Sequence, residues 1–289
     1  DSESRVAIEV LGGHGKVFVV GEVTSKADIN VEEIVKRLAG KVELEVRIVK
    51  QSFEIANGVD TGGAGDQGIM VGYACSETPE LLPLEVVLSR RLNQYLFMSW
   101  PFDGKTQVTL RAGKVESVVA SFQNAKQSEL KKAVETWLSS EPLAKPAKNI
   151  ALHINPAGDW AFGGFDADTG LTGRKLVVDN YGPRVPIGGG CFSGKDPSKV
   201  DRSAAYMARR IAVDYLRKFK AYEATCYLAY AIGKAQPLEA SVVVDGMRLK
   251  VEGYDLSPNG IIASLGLKKP QYEKTARYGH FGHKFTWDN

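Results

Sequence analysis

Between Gly188 and Arg209 the chain gathers a run of three glycines, the cations Lys195, Lys199 and Arg202, the carboxylates Asp196 and Asp201, and the apolar stripe of a helix. Glycine enters left-handed backbone conformations without penalty, so Gly188-Gly-Gly190 can turn sharply and approach a ligand closely. The sequence then predicts a helix capped by Asp196, with Pro197 at its first position. Val200, Ala204, Met207, Ala208, Ile211 and Tyr215 recur at three and four residues and mark its buried face to about Lys218. The three cations fall at or near the helix start, where the macrodipole already carries about half a positive charge. A polyphosphate would satisfy the lysines, the dipole and the free backbone N–H groups together. Asp201 suits the magnesium that accompanies such a ligand, because magnesium takes carboxylate, water and phosphate oxygens. The plainer reading, an amphipathic helix with a solvated basic first turn, leaves the glycine run and the Asp-Pro pair unexplained.

Gly189–Lys195 also fits the G-x-x-x-x-G-K core of a nucleotide-binding P-loop. In that loop Ser or Thr follows the lysine and a buried strand leads in. Here Asp196 follows, and Pro186 in Arg184-Val-Pro-Ile187 disfavours a central strand. The expectation is a phosphate site of another kind. Lys105, Arg174 and Lys175 share a setting, cations beside glycine at strand ends with Asp103 and Asp168 nearby. With Lys195 and Lys199 they would line a cationic cleft able to offset charge developing on a triphosphate. Gly63–Gly68 is a literal G-x-G-x-x-G, but no strand is predicted before it, so it reads as a loop holding Asp66 toward a ligand. No Ser-His-Asp or Cys-His pair stands out. His14 reads as a turn residue and His153 as a core histidine in an apolar strand.

The elements that must position these groups follow from periodicity and punctuation. Arg5–Leu11 and Lys16–Thr24 read as strands joined by a glycine-rich turn; Asn30 caps a helix to Leu38 that Gly40 ends; 42–50 alternates as a half-exposed strand. Residues 51–65 lose apolar content and read as a mobile gate. Helices are expected at Leu81–Leu96, with Pro83 in the first turn, and at Ser128–Leu138 and Ser257–Leu265. Pro142 and Pro146 mark a break. Strands are expected at Thr106–Ala112, Lys114–Gln123, Asn149–Asn155, Arg174–Asp179, Ala224–Ile232 and Glu239–Asp245, while Tyr272–Trp287 has no period. Helices and strand pairs recur about three times, which suggests similar α+β units around a shared centre.

The 289 residues, 44% hydrophobic with a net charge of +3, describe a globular chain without the basic bias of a nucleic-acid binder. Cys75, Cys191 and Cys226 are scattered, giving neither a disulfide framework nor a zinc site. No apolar run reaches membrane length and no signal peptide is visible, so the cytoplasm is the expected compartment. Beginning Asp-Ser-Glu-Ser and entering a strand almost at once, the sequence reads as one cut or partly resolved at its front.

Two long segments, Gly63-Ala-Gly-Asp-Gln-Gly-Ile-Met-Val-Gly-Tyr73 and Gly188-Gly-Gly-Cys-Phe-Ser-Gly-Lys-Asp-Pro-Ser-Lys-Val-Asp-Arg-Ser203, resemble the two signatures of the S-adenosylmethionine synthetases. Gly170-Leu-Thr-Gly-Arg-Lys175 and Tyr278-Gly-His-Phe-Gly282 resemble two further motifs of that family. The resemblance implies an α+β fold of three similar α/β-sandwich domains related by pseudo-threefold symmetry, here near 1–57, 58–162 and 163–289 and interleaved in sequence. It implies attack of methionine sulfur on C5′ of ATP, release and hydrolysis of tripolyphosphate, use of Mg2+ and K+, and a homodimer or dimer of dimers with sites between subunits. Nucleic acid and membrane are not among the implied partners.

Residue by residue, the resemblance places Lys105, Arg174, Lys175 and Lys195 on the phosphates and Lys199 near methionine and phosphate. It gives magnesium to Asp201 and potassium to Glu9. Glu22 and Gln51 would hold methionine, and Asp66 and Asp168 would lie near its ammonium or the ribose. Asp103 and Cys191 would line the nucleotide pocket, with Trp160 and Ile55 on the two faces of adenine. Two departures stand out. Asp159 occupies the place of a common arginine, and the sequence carries no counterpart of the family's leading Ser-Glu-Gly-His-Pro-Asp-Lys segment; His14, in a hairpin turn, does not replace it. A chain truly without that segment would be a catalytically impaired binding or regulatory homologue. A P-loop-like phosphotransferase is the third reading.

Overall fold

The computed structural model describes residues 2–50 and 62–289, so Gln51, Ile55 and most of the expected gate lie outside the described residues. In chain order the elements begin with β1 (Arg5–Gly13), β2 (Lys16–Thr24), α1 (Val31–Ala39), β3 (Glu43–Val49), β4 (Gly68–Cys75) and α2 (Leu84–Phe97). They continue with β5 (Gly104–Arg111), β6 (Lys114–Phe122), α3 (Gln127–Ser140), β7 (Pro146–Ile154), β8 (Gly170–Leu171) and α4 (Leu176–Asp179). The last are α5 (Val200–Phe219), β9 (Glu223–Tyr230), β10 (Glu239–Val244), β11 (Met247–Lys250), α6 (Pro258–Leu265) and α7 (Tyr272–Thr275). Two compact units result, one from Asp1–Leu82 with Gly170–Asn289, the other from Pro83–Thr169.

The first unit holds two sheets, ordered β3-β2-β1-β8 and β11-β10-β9-β4. β1 and β2 form the expected hairpin, and His14 and Gly15 take the positive φ that its tight turn requires. β2 and β3 are parallel and are joined through α1, whose cap Asn30 accepts a hydrogen bond from Glu33 N. α5 lies across β4 and β9, burying the stripe that the sequence marked. The crossing at β4 is close: a Cβ on Gly72 would collide with the backbone of Ala208. The aperiodic tail proves to be core. Trp287 stacks on Tyr206 at 4.0 Å, and Phe281 stacks on Tyr181 at 4.6 Å. The fully buried Arg209 donates to Asp288 and to the carbonyls of Tyr73, Glu80 and Leu81.

Five expectations are corrected in this fold. The long helix begins at Val200 with Lys199 as its cap, not at Pro197, because the backbone of 194–196 is engaged along β1. Residues 174–179 form no strand: pairing with β1 ends after Leu171, and Leu176–Asp179 closes as a helical turn. Pro83 stands before α2 rather than inside its first turn, and Pro146 opens β7 rather than breaking the chain. His153 is exposed on β7 and belongs to no core.

The second unit is one sheet, β5-β6-β7, with α2 and α3 packed over its core of Leu88, Leu92, Val118, Phe122, Leu130 and Trp137. Asp159 sits where α3 begins, and its carboxylate accepts from Gln127 N at 2.8 Å. It thus satisfies one of the backbone N–H groups that a helix start leaves without an intrahelical partner.

Candidate active site

The edge of β1 that faces away from β2 organises the first unit's candidate residues. Toward its end, β1 pairs with Gly170 and Leu171, and Val10 exchanges hydrogen bonds with Thr172 through N–H to Oγ1 (2.9 Å) and through carbonyl O from Thr172 N (3.0 Å). Nearer its start, Ile8 N donates to Gly194 O (2.8 Å) and Asp196 N to Val6 O (3.0 Å), so Ala7 faces Lys195 as an antiparallel bridge. Two segments that the sequence marked as phosphate-binding therefore dock side by side on one strand. They also touch each other, since a Cβ on Gly173 would lie 2.9 Å from Cys191 Cβ. Directly opposed residues of a ladder share a face, and the registers Glu9↔Val20, Ala7↔Glu22 and Ala7↔Lys195 put Glu9, Glu22 and Lys195 on the same one.

Lys195 Nζ lies 2.5 Å from Asp201 Oδ2, with both side chains largely buried. Burial lowers the proton affinity of Lys195, but the hydrogen bond and charge of Asp201, helped by Cys191 and Asp66, outweigh it and hold the ammonium above its ordinary range. Asp66 itself is exposed and caps Gln67 N at 2.7 Å. Gly190 packs so tightly on the Asp201 carboxylate that no Cβ fits between them. Asp196, expected as a helix cap, is a buried anchor. Its carboxylate accepts from Val6 N (2.7 Å), Ser198 N (2.8 Å) and Lys199 Nζ (2.6 Å). Burial pushes its pKa up; Lys199 and the hydrogen bonds from Ser198 and Val6 more than reverse this and leave it below the usual carboxylate range. Lys195 and Lys199 are thus met by carboxylates of the same segment. Arg202 is buried, donates to Lys195 O (2.7 Å) and lies over the Tyr272 ring at 4.2 Å. Arg174 and Lys175 are exposed just after β8.

A separate cluster stands in the second unit. Asp103 Oδ2 accepts from Gly164 N at 2.9 Å, and Gln123 Nε2 donates to Ala161 O at 2.7 Å, tying the 158–164 loop to the ends of β5 and β6. Trp160 is half-buried in that loop and packs on Gly163, while Lys105 and Asp168 are exposed. Phe162, which the sequence reading passed over, is 68% exposed in the same loop; no period marks a single aromatic among glycines. Missed as well were Arg202, His280 and Tyr206 as a connected set, because Thr275 and His280 lie 73 and 74 residues from the Arg202 and Tyr206 that they join.

Among the described residues no group of three or more His, Cys, Asp and Glu side chains converges as a metal cage. Asp201 fits magnesium in the manner usual for it, one carboxylate completed by water and phosphate oxygens. Glu9, with Glu22 diagonal to it on the ladder, offers carboxylate oxygens to a cation.

Comparison with known proteins gives the family. The profile of the S-adenosylmethionine synthetase central domain matches residues 61–160, and that of the C-terminal domain matches 162–289. An S-adenosylmethionine synthase from a Nocardioides species is 40% identical over 350 residues, covering 100% of this chain and 88% of the relative. One from Salinibacter ruber is 40% identical over 338 residues, covering 100% and 87%. A solved S-adenosylmethionine synthetase from Campylobacter jejuni, described as unusual, superposes with a TM-score of 0.87 at 29% identity, covering 100% of this chain and 89% of that one. With both domain profiles matched in order and the fold shared, the chain belongs to the S-adenosylmethionine synthetase family.

Proposed function

We propose that this protein joins ATP and L-methionine to form S-adenosylmethionine. The methionine sulfur lone pair attacks C5′, the C5′–O bond breaks, and its electron pair leaves on tripolyphosphate, which water then cleaves to phosphate and pyrophosphate. A thioether is nucleophilic without deprotonation, so the protein need not supply a base; its tasks are alignment and stabilisation of the leaving phosphates. The observation that carries this reading is the docking of Gly170–Lys175 and Gly188–Lys199 together on the β1 edge, with Lys195 on the sheet face of Glu9 and Glu22.

In this reading Lys195, Arg174 and Lys175 contact the phosphates and Lys199 lies beside them. Glu22, Asp66 and Gln51 hold the amino acid, and Cys191 lines the nucleotide side. Lys105, Asp103, Trp160, Asp168 and Ile55 receive ATP. Asp201 holds magnesium and Glu9 potassium; magnesium neutralises phosphate charge when bound. A three-part division near 1–57, 58–162 and 163–289, assembly as a homodimer or dimer of dimers, and a cytoplasmic location complete the proposal. No helix among the described residues is long and apolar enough to cross a membrane.

The test is incubation with ATP, methionine, Mg2+ and K+, with chromatography for S-adenosylmethionine and a colorimetric reading of orthophosphate. Both products in equal amounts are expected. ATP binding without either product would instead mark an impaired regulatory homologue, and phosphate transferred to an acceptor would mark a phosphotransferase.

A further inference from the structure

Tyr278-Gly-His-Phe-Gly282 has no part in the chemistry above, yet it carries a histidine that is 1% exposed. His280 Nδ1 lies 2.8 Å from Tyr206 Oη, and its Nε2 lies 3.4 Å from Ser193 Oγ. Tyr206 Oη also receives Arg202 Nε–H at 3.0 Å. A guanidinium can only donate, so the phenol oxygen accepts from Arg202, and His280 and Thr275 are its other hydrogen-bonding partners. Both ring nitrogens of the imidazole thus have a hydrogen-bonding partner, Tyr206 at Nδ1 and Ser193 at Nε2. On the other side of the chain of bonds, Arg202 Nη1 donates to Lys195 O at 2.7 Å and Nη2 to Thr275 Oγ1 at 3.0 Å. The ring of Phe192 also meets His280 edge-on at 4.9 Å.

The Phe192–Lys195 stretch is thus gripped at three points by one buried network: Phe192 and Ser193 by His280, and the Lys195 carbonyl by Arg202. We infer that His280 is a positioning residue, whose buried ring links Ser193 through Tyr206 and Arg202 to the backbone of Lys195 and so sets where the Lys195 ammonium stands. The inference rests on the assignment of Lys195 to the phosphates. Its backing is stiff, since Trp287 donates from its indole to His280 O at 3.0 Å and His280 N donates to Asp179 O at 3.0 Å.

Two variants cut the link at different atoms. His280→Asn keeps an acceptor near Nδ1 for Tyr206 and removes the group facing Ser193. Ser193→Ala removes the other end and leaves the core untouched. Each is expected to lower kcat about tenfold with the KM for ATP within about twofold, and the double variant to be no worse than either single one, the pattern of two groups acting through one contact. Hydrogen exchange of the wild-type and variant full chains gives a readout independent of turnover: amides of 192–195 should exchange about tenfold faster in both variants while those of α5 stay unchanged. Multiplicative kcat losses, or unchanged exchange in 192–195, would overturn the inference. If the wild-type chain makes no S-adenosylmethionine, the functional reading fails, and the exchange comparison still decides whether His280 holds the loop.

Discussion

Lys195 and Asp201 hold each other where the family signature predicts a lysine on phosphate and an aspartate on magnesium. A salt bridge at such a site holds both side chains in place before the ligand arrives. Replacing Lys195 by Met should leave the circular dichroism spectrum intact and lower kcat roughly 100- to 1,000-fold, the scale for removing one preorganised donor. Asp196 makes a different prediction. Its folded pKa lies below the ordinary 3.8, so it contributes stability that is present above that value and is lost as pH falls through the folded pKa. Asp196→Asn should cost about 3 kcal/mol at neutral pH, because Lys199 loses its buried partner, and should flatten the acid limb of the stability curve. Urea midpoints from pH 7 down to 2.5 measure both effects, and an unchanged acid limb would contradict the assignment. Sequence reading singled out Lys195 and Asp201, which the fold pairs, because both lie within one short segment. It misplaced Asp196 because its decisive partner, Val6 N, lies 190 residues away.

At the scale of elements the same divide recurs. The β1–β2 hairpin and α1 were readable, since turn glycines, an Asn cap and a short-range period specify them locally. The start of α5, the helical turn at Leu176–Asp179 and the exposure of His153 were not, because docking on β1 and the limits of the sheets decide them. The tail was opaque for a related reason: Phe281 and Trp287 are buried by contacts with Tyr181 and Tyr206, not by a repeat of their own. The signature glycine at 72 gains a structural reason here, as the place where β4 meets the backbone of α5. Gly72→Ala should cost about 3 kcal/mol or prevent folding, as overpacking without room to relax does. A thermal midpoint within about 1 °C of wild type would contradict that close crossing. Asp159, the departure from the family's usual arginine, serves α3; Asp159→Ala should cost about 1 kcal/mol in a denaturant titration, the scale for losing a helix-start acceptor.

For the whole molecule, motif order made the family legible, while the grouping of 1–82 with 170–289 was beyond local pattern. Such a grouping follows from β1 pairing with β8 and β4 pairing with β9, contacts that span 148 to 162 residues. The catalytic proposal depends on positive groups from these distant segments meeting one triphosphate. The direct measurement is a crystal structure of the protein with tripolyphosphate and Mg2+. The expected result has Lys195 Nζ about 3 Å from a phosphate oxygen, with Asp201 released to the metal and the Gly188–Gly190 backbone alongside. Tripolyphosphate bound elsewhere, with Lys195 still paired to Asp201, would contradict it.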